Sequence, residues 1–143
     1  MALDVGSVRL GVALSDLGAS FAQPWVVWPI RQPSTLQAVA ELARSEGVVQ
    51  VVVGRPLRMS GEAGLATQAV EKFVEILRPH LEVPIIWWDE RLSTRAATRA
   101  LVETGMRRRQ QRVTVDKVAA AWLLQGYLEA CRRPVPPPGA PST

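Results

Sequence analysis

The stretch VVQVVVGRPLRMSGEAGLATQAVEKFVEILRPHLEVPIIWWDER, residues 48–91, decides the fold. Its opening, Val48 to Val53, is nearly all valine, the composition of a strand buried on both faces, as parallel strands are. Gly54 to Gly64 reads as a loop carrying Pro56, Ser60 and Gly61. Leu65 to Leu77 has helical periodicity, with Pro79 just beyond it. Pro84 to Trp88 is a second short strand that looks fully buried, and it stops abruptly at Asp89-Glu90-Arg91. Strand, helix and strand in succession predict a parallel pair joined by a right-handed crossover.

Upstream, Leu3 to Val5 and Leu10 to Leu14 are short apolar runs separated by Gly6-Ser7-Val8-Arg9, a plausible hairpin. Trp25 to Ile30 is a third run, so the chain should begin as a three-strand antiparallel meander. Pro33 to about Glu46 predicts a helix, with Ser34 and Gln37 at capping-box spacing and Gly47 as the stop. Downstream, Ser93 to Glu103 is a helix candidate closed by Gly105, and Val115 to Arg132 is another. The order βββ-α-β-α-β-α-α predicts an α/β fold: a mixed five-stranded sheet, three antiparallel strands plus two parallel ones, flanked by helices. Most of Trp25, Trp28, Trp87, Trp88 and Trp122 are assigned to the core rather than to base stacking, because they lie in apolar segments. A central strand usually has about 5–6 residues, yet only Met1, Ala2 and Leu3 precede Asp4, which predicts a natural start upstream of Met1.

The chain has 143 residues, the size of one ordinary domain. With 48% apolar and 21% charged residues it has enough material for a core, which excludes general disorder. The one cysteine, Cys131, excludes an intramolecular disulfide framework and a cysteine-based zinc site. No stretch approaches about 18 uninterrupted apolar residues, and the first residues lack the pattern of an export signal. A cytoplasmic protein that does not enter the membrane is expected. Formal net charge is +4, which favours polyanionic partners.

The aspartates are few: Asp4, Asp16, Asp89 and Asp116. Asp4 interrupts an apolar strand, where an ionised carboxylate is costly unless compensated, and a bound metal is one compensation. The alternative is a strand-end Asp capping its own turn. Asp89 and Glu90 end a strand of the kind whose carboxyl end receives ligands in open α/β sheets. Strand alternation sends the two to opposite faces, so one of them at most reaches a shared site. Pairing with Arg91 or Arg95 is the other reading. Asp116 lies near the expected start of the last helix, where it would complement the helix dipole. It also shares a helical face with Ala119, Ala120 and Leu123, where the two alanines would let that face press against a sheet. Three such carboxylates brought together would need a divalent cation. Hard Mg²⁺ or Mn²⁺ is expected, because His80 is the only histidine. Two such ions are the machinery for in-line attack of water on a phosphodiester.

These motifs resemble those of the YqgF/RuvX family. The resemblance is carried by Asp4-Val5-Gly6 with Arg9-Leu10-Gly11-Val12-Ala13 and Ser15-Asp16; by Val53-Gly54-Arg55-Pro56-Leu57-Arg58-Met59-Ser60-Gly61; by Asp89-Glu90-Arg91-Leu92-Ser93-Thr94; and by Val115-Asp116-Lys117-Val118-Ala119-Ala120 with Leu123-Leu124. It runs from about Ala2 to Glu129, with the motifs in order. It implies a ribonuclease H-like nuclease domain over 1–133; beyond it, residues 134–143 hold five prolines and should form a disordered tail. The family is described as Holliday junction resolvases related to RuvC, or as nucleases maturing the 5′ end of precursor 16S ribosomal RNA. By motif position Asp4, Glu90 and Asp116 would be the metal-binding catalytic carboxylates, with Asp89 a substitute for Glu90. Ser60 departs from the acidic residue associated with its position in the family.

Between Arg91 and Lys117 there are eight basic residues and two acidic ones, and Arg107, Arg108, Arg109 and Arg112 cluster between the two expected helices. Such a cluster suits phosphate gripping, and a solvated charge run is its ordinary alternative. Together with Arg9, Arg55, Arg58, Arg91 and Lys117 it makes the expected nucleic-acid contact set. The expected activity is metal-dependent, two-ion endonucleolytic hydrolysis of branched DNA or precursor rRNA. A homodimer is the candidate assembly, since symmetric junction cleavage would favour one. Two other classes compete. A non-catalytic nucleic-acid-binding factor in ribosome maturation or transcription would use the same basic face. A small ATPase or kinase could share the Asp-x-Gly strand, but that fold normally needs two such domains.

Overall fold

The computed structural model describes residues 1–56, 64–89 and 108–132, with backbone alone for 108–117. Five strands form one sheet: β1 (Ala2–Val5), β2 (Arg9–Ser15), β3 (Ala22–Pro29), β4 (Val51–Arg55) and β5 (Ile85–Asp89), in the order β3-β2-β1-β4-β5. The first three strands pair antiparallel, and β4 and β5 join β1 in parallel. The expected mixed sheet is therefore the one that forms. The turn from β1 to β2 is closed by Gly6 N–H donating to the Arg9 carbonyl at 2.9 Å. A Cβ at Gly6 would stand 2.7 Å from that oxygen, so the hairpin requires glycine.

Alternation sorts the sheet into two faces. Leu3, Leu10, Val12, Leu14, Val51 and Val53 pack with α1 (Pro33–Ser45) and α2 (Leu65–Leu77). Ala2, Ala13 and Val52 point the other way, against Ala120, Leu123, Leu124 and Leu128 of α3 (Arg108–Arg132). Ala2 and Ala13 are directly paired, and both are fully buried. Small side chains there let the helix lie close to the sheet.

Helix α1 starts two residues earlier than a capping box at Ser34 would set it. Its N-cap is Gln32, without a side-chain cap bond, and Pro33 occupies the first turn. The fixed φ of proline suits that position, so Ser34 falls inside the helix. Thr35 is held instead, its hydroxyl donating to the Pro29 carbonyl at 2.6 Å. The other end follows expectation: Gly47 has φ +63°, and its amide and that of Val48 bond the carbonyls of Arg44 and Ala43, a Schellman closure.

Two expectations need correction. Strand β5 is half-buried along its length, because it lies at the sheet edge. Trp28, Trp87 and Trp88 pack against the core clusters, as expected of most of the tryptophans, whereas Trp25 and Trp122 are 41% and 45% exposed. Trp25 sits where β3 shifts register against Val12 and Ala13, an extra residue turned out of the ladder, and Trp122 faces away from the sheet. Helix α3 already includes Arg108, Arg109 and Arg112, so these belong to the helix rather than to a connecting loop. The helix expected at Ser93 to Glu103 and the tail over 134–143 lie outside the described residues. Among the described residues no helix is long and apolar enough to cross a membrane.

Candidate active site

Asp4 is the half-buried third residue of β1, near the carboxyl end of the parallel strands. Counting alternately from Ala2 puts it on the α3 face. Its partner on β2 is Gly11, and one further step of the β1–β4 register sets it beside Gly54. Neither of these neighbours carries a side chain of its own. Arg9, two residues before Gly11 on β2, lies on the same face at the same end.

Helix α3 crosses this face from the carboxyl end towards the amino end of the parallel strands. Its later turns are anchored at the amino end. The Tyr127 hydroxyl bonds Gln50 Oε1 at 2.9 Å, while Gln125 accepts from the Ala22 amide at 2.8 Å and donates to the Ser20 carbonyl at 3.2 Å. From Tyr127 back to position 116 the helix climbs about 16 Å at its usual rise. From Gln50 to Gly54 the neighbouring strand climbs about 13 Å. The backbone at Asp116 therefore reaches the height of Asp4. Asp116 is also more than two turns inside the helix, beyond the range of a dipole-capping role.

Asp89 closes β5 and is paired with Arg55. Both belong to the register row of the α1 and α2 face, opposite Asp4. The structure thus brings Asp4, Arg9 and the turns of α3 around position 116 to one face, and sets Asp89 on the other. Glu90, Arg58, Arg91 and Arg107 lie outside the described residues, as do the side chains of Arg108, Arg109, Arg112, Asp116 and Lys117. Among the described residues no three His, Cys, Asp or Glu side chains form a metal-holding group.

Arg55 does not point where a phosphate contact on the Asp4 face would need it. Its guanidinium donates to Glu71 Oε1 at 2.6 Å and sits 5.5 Å from the centroid of the Trp87 ring. Sequence reading missed Glu71; the signal was available in Thr67 and Glu71, which stand four apart on α2. A cavity of about 410 Å³, lined in part by Met1, Leu14, Asp16, Trp25 and Tyr127, opens at the amino end of the parallel strands. It is separate from Asp4.

A mixed sheet with a carboxylate on its first strand, faced by a long helix, defines a ribonuclease H-like α/β protein. The family model RuvX, described as Holliday junction resolvase, matches residues 1–130, and the chain belongs to that family. A protein of Symbiobacterium thermophilum is 47% identical over 131 residues, covering 90% of this chain and 90% of that protein. One from Roseiflexus sp. is 40% identical over 133 residues, covering 92% and 94%. One from Chelativorans sp. is 41% identical over 128 residues, covering 89% and 80%. All three carry the name "Putative pre-16S rRNA nuclease".

Proposed function

We propose that the protein is a metal-dependent endonuclease that hydrolyses phosphodiester bonds in structured nucleic acid, with the 5′ region of precursor 16S rRNA as its substrate. The supporting observation is the register of Asp4: a carboxylate on the α3 face, beside Gly11 and next to the Gly54 position, with the backbone of Asp116 at the same height. Family membership and the names of the relatives support the same reaction class.

Asp4, Glu90 and Asp116 are the residues that would hold the metal. The fit rests on donor chemistry: carboxylate oxygens without histidine or cysteine suit Mg²⁺ or Mn²⁺. A pair of such ions, when bound, supplies Lewis-acid activation of water and neutralises charge on the phosphoryl oxygens. The chain's own task is to hold three mutually repelling carboxylates in place. β1 fixes one through its central position in the sheet, and α3 fixes another through its alanine-lined contact with β1 and β2. Arg9 and the basic turns of α3 over 108–112 orient the substrate backbone towards that face.

The family description favours a second substrate, the four-way DNA junction. Cleavage assays on a precursor 16S rRNA fragment and a synthetic junction, each with Mg²⁺ and with Mn²⁺, decide between them. Asp4→Asn is expected to abolish cleavage and to leave substrate binding intact. Wild-type cleavage that persists in excess EDTA would overturn the metal-dependent reading. Full activity of the Asp4→Asn protein in its biological role would instead make it a non-catalytic binding factor.

A further inference from the structure

The exit of β4 is held at two consecutive residues by one face of α2. Arg55, the last residue of the strand, donates to Glu71 at 2.6 Å. Pro56, the next residue, accepts at its carbonyl the hydroxyl proton of Thr67. Thr67 and Glu71 are four residues apart in a helix and so lie one above the other. Thr67 is fully buried, which shelters its bond from exchange with water. Arg55 Nε is also buried, and among the described residues it has no hydrogen-bond partner. The Trp87 ring covers the guanidinium from the neighbouring strand.

We infer that Arg55 is a positioning residue rather than a phosphate contact: with Glu71 and Thr67 it sets the direction in which the chain leaves β4, beside Asp89 at the end of β5. Three observations carry this. The guanidinium is already matched by a carboxylate, so the pair presents no net charge to a polyanion. It belongs to the α2 face, opposite Asp4. Its strand-end partner Asp89 stands directly before Glu90, so movement of the β4 exit is transmitted to the chain next to that residue. The kinetic part of this inference rests on the nuclease reading; the binding and unfolding parts do not.

The test compares Arg55→Gln, Glu71→Gln and the double variant. Binding to the junction and to the precursor fragment is measured as a function of salt. A phosphate-gripping arginine would lower the salt slope by about one when removed, and Glu71→Gln would then strengthen binding. A positioning residue leaves the slope unchanged. In cleavage, misplacement costs roughly 10-fold to 100-fold, read here as a lower kcat at unchanged KM. Both single variants should lose the same factor, and the double variant no more than either. Thermal unfolding of the same set provides a cycle independent of activity, in which the two changes should be non-additive. If wild-type protein cleaves neither substrate, the nuclease reading fails while the salt slopes and the unfolding cycle still decide the role of Arg55. A slope lowered by about one, or additive losses in the unfolding cycle, would overturn the inference.

Discussion

At the scale of single residues, Asp16 shows how one carboxylate shapes a turn. Its Oδ1 accepts the amides of Phe21 at 3.0 Å and Ser20 at 2.6 Å, closing the connection from β2 to β3. These two bonds, that of Phe21 foremost, hold the carboxyl below its ordinary value. The folded state therefore binds fewer protons than the unfolded chain between the two values. Its stabilising contribution is complete above the ordinary carboxylate value and is lost as pH falls through the depressed one. Asp16→Ala should accordingly lower the unfolding midpoint at neutral pH, by an amount that shrinks in acid. Melting curves recorded across that range check it, and a difference that stays constant into acid would remove charge from the explanation. Nothing in the local sequence revealed these bonds, because they depend on Ala19 adopting φ +51° in the intervening turn.

At the scale of elements, α3 and the sheet meet through alanines. Ala120 is fully buried in the cluster that holds Ala2 and Ala13, so there is no space for a longer side chain. Ala120→Leu is expected to destabilise by about 1–3 kcal/mol through overpacking, measured by urea unfolding. A smaller loss would mean that the helix can move away from the sheet. This contact was legible in the sequence, since the spacing of Ala119, Ala120 and Leu123 marks one helical face. The limits of α2 were equally legible, because periodicity and the proline after it agree. The helical state of 108–112 was not: Arg108 to Arg112 reads as solvated charge, and the cost of exposing such residues is the same in a helix as in a loop. The burial of β5 was overestimated for a related reason, because an apolar run does not say whether its strand lies at the centre or the edge. For the candidate site, the residues themselves were legible as motifs. The faces they occupy were legible only in part: alternation separates Asp89 from Glu90, but assigning Asp4 to the α3 face required knowing that Ala2 and Ala13 pack there.

At the scale of the whole molecule, charge is unevenly distributed. Residues 91–117 carry eight basic and two acidic groups, whereas the rest of the chain has nine basic and eleven acidic. Binding to nucleic acid should therefore depend steeply on salt through one segment, the one that ends within α3. Replacing Arg108, Arg109 and Arg112 together by glutamine is expected to reduce the salt slope by about three. Titrations at several ionic strengths measure it, and an unchanged slope would place the contacts elsewhere. The sheet itself limits how the molecule can associate. β3 forms one border, and it carries proline at positions 24 and 29. Neither residue has an amide hydrogen to offer, so a visiting strand would find gaps in the ladder at both ends of that border. The border thereby resists runaway strand addition between molecules, and any twofold assembly joined on this side has to be made through side chains rather than by a sheet continued from one copy into the next.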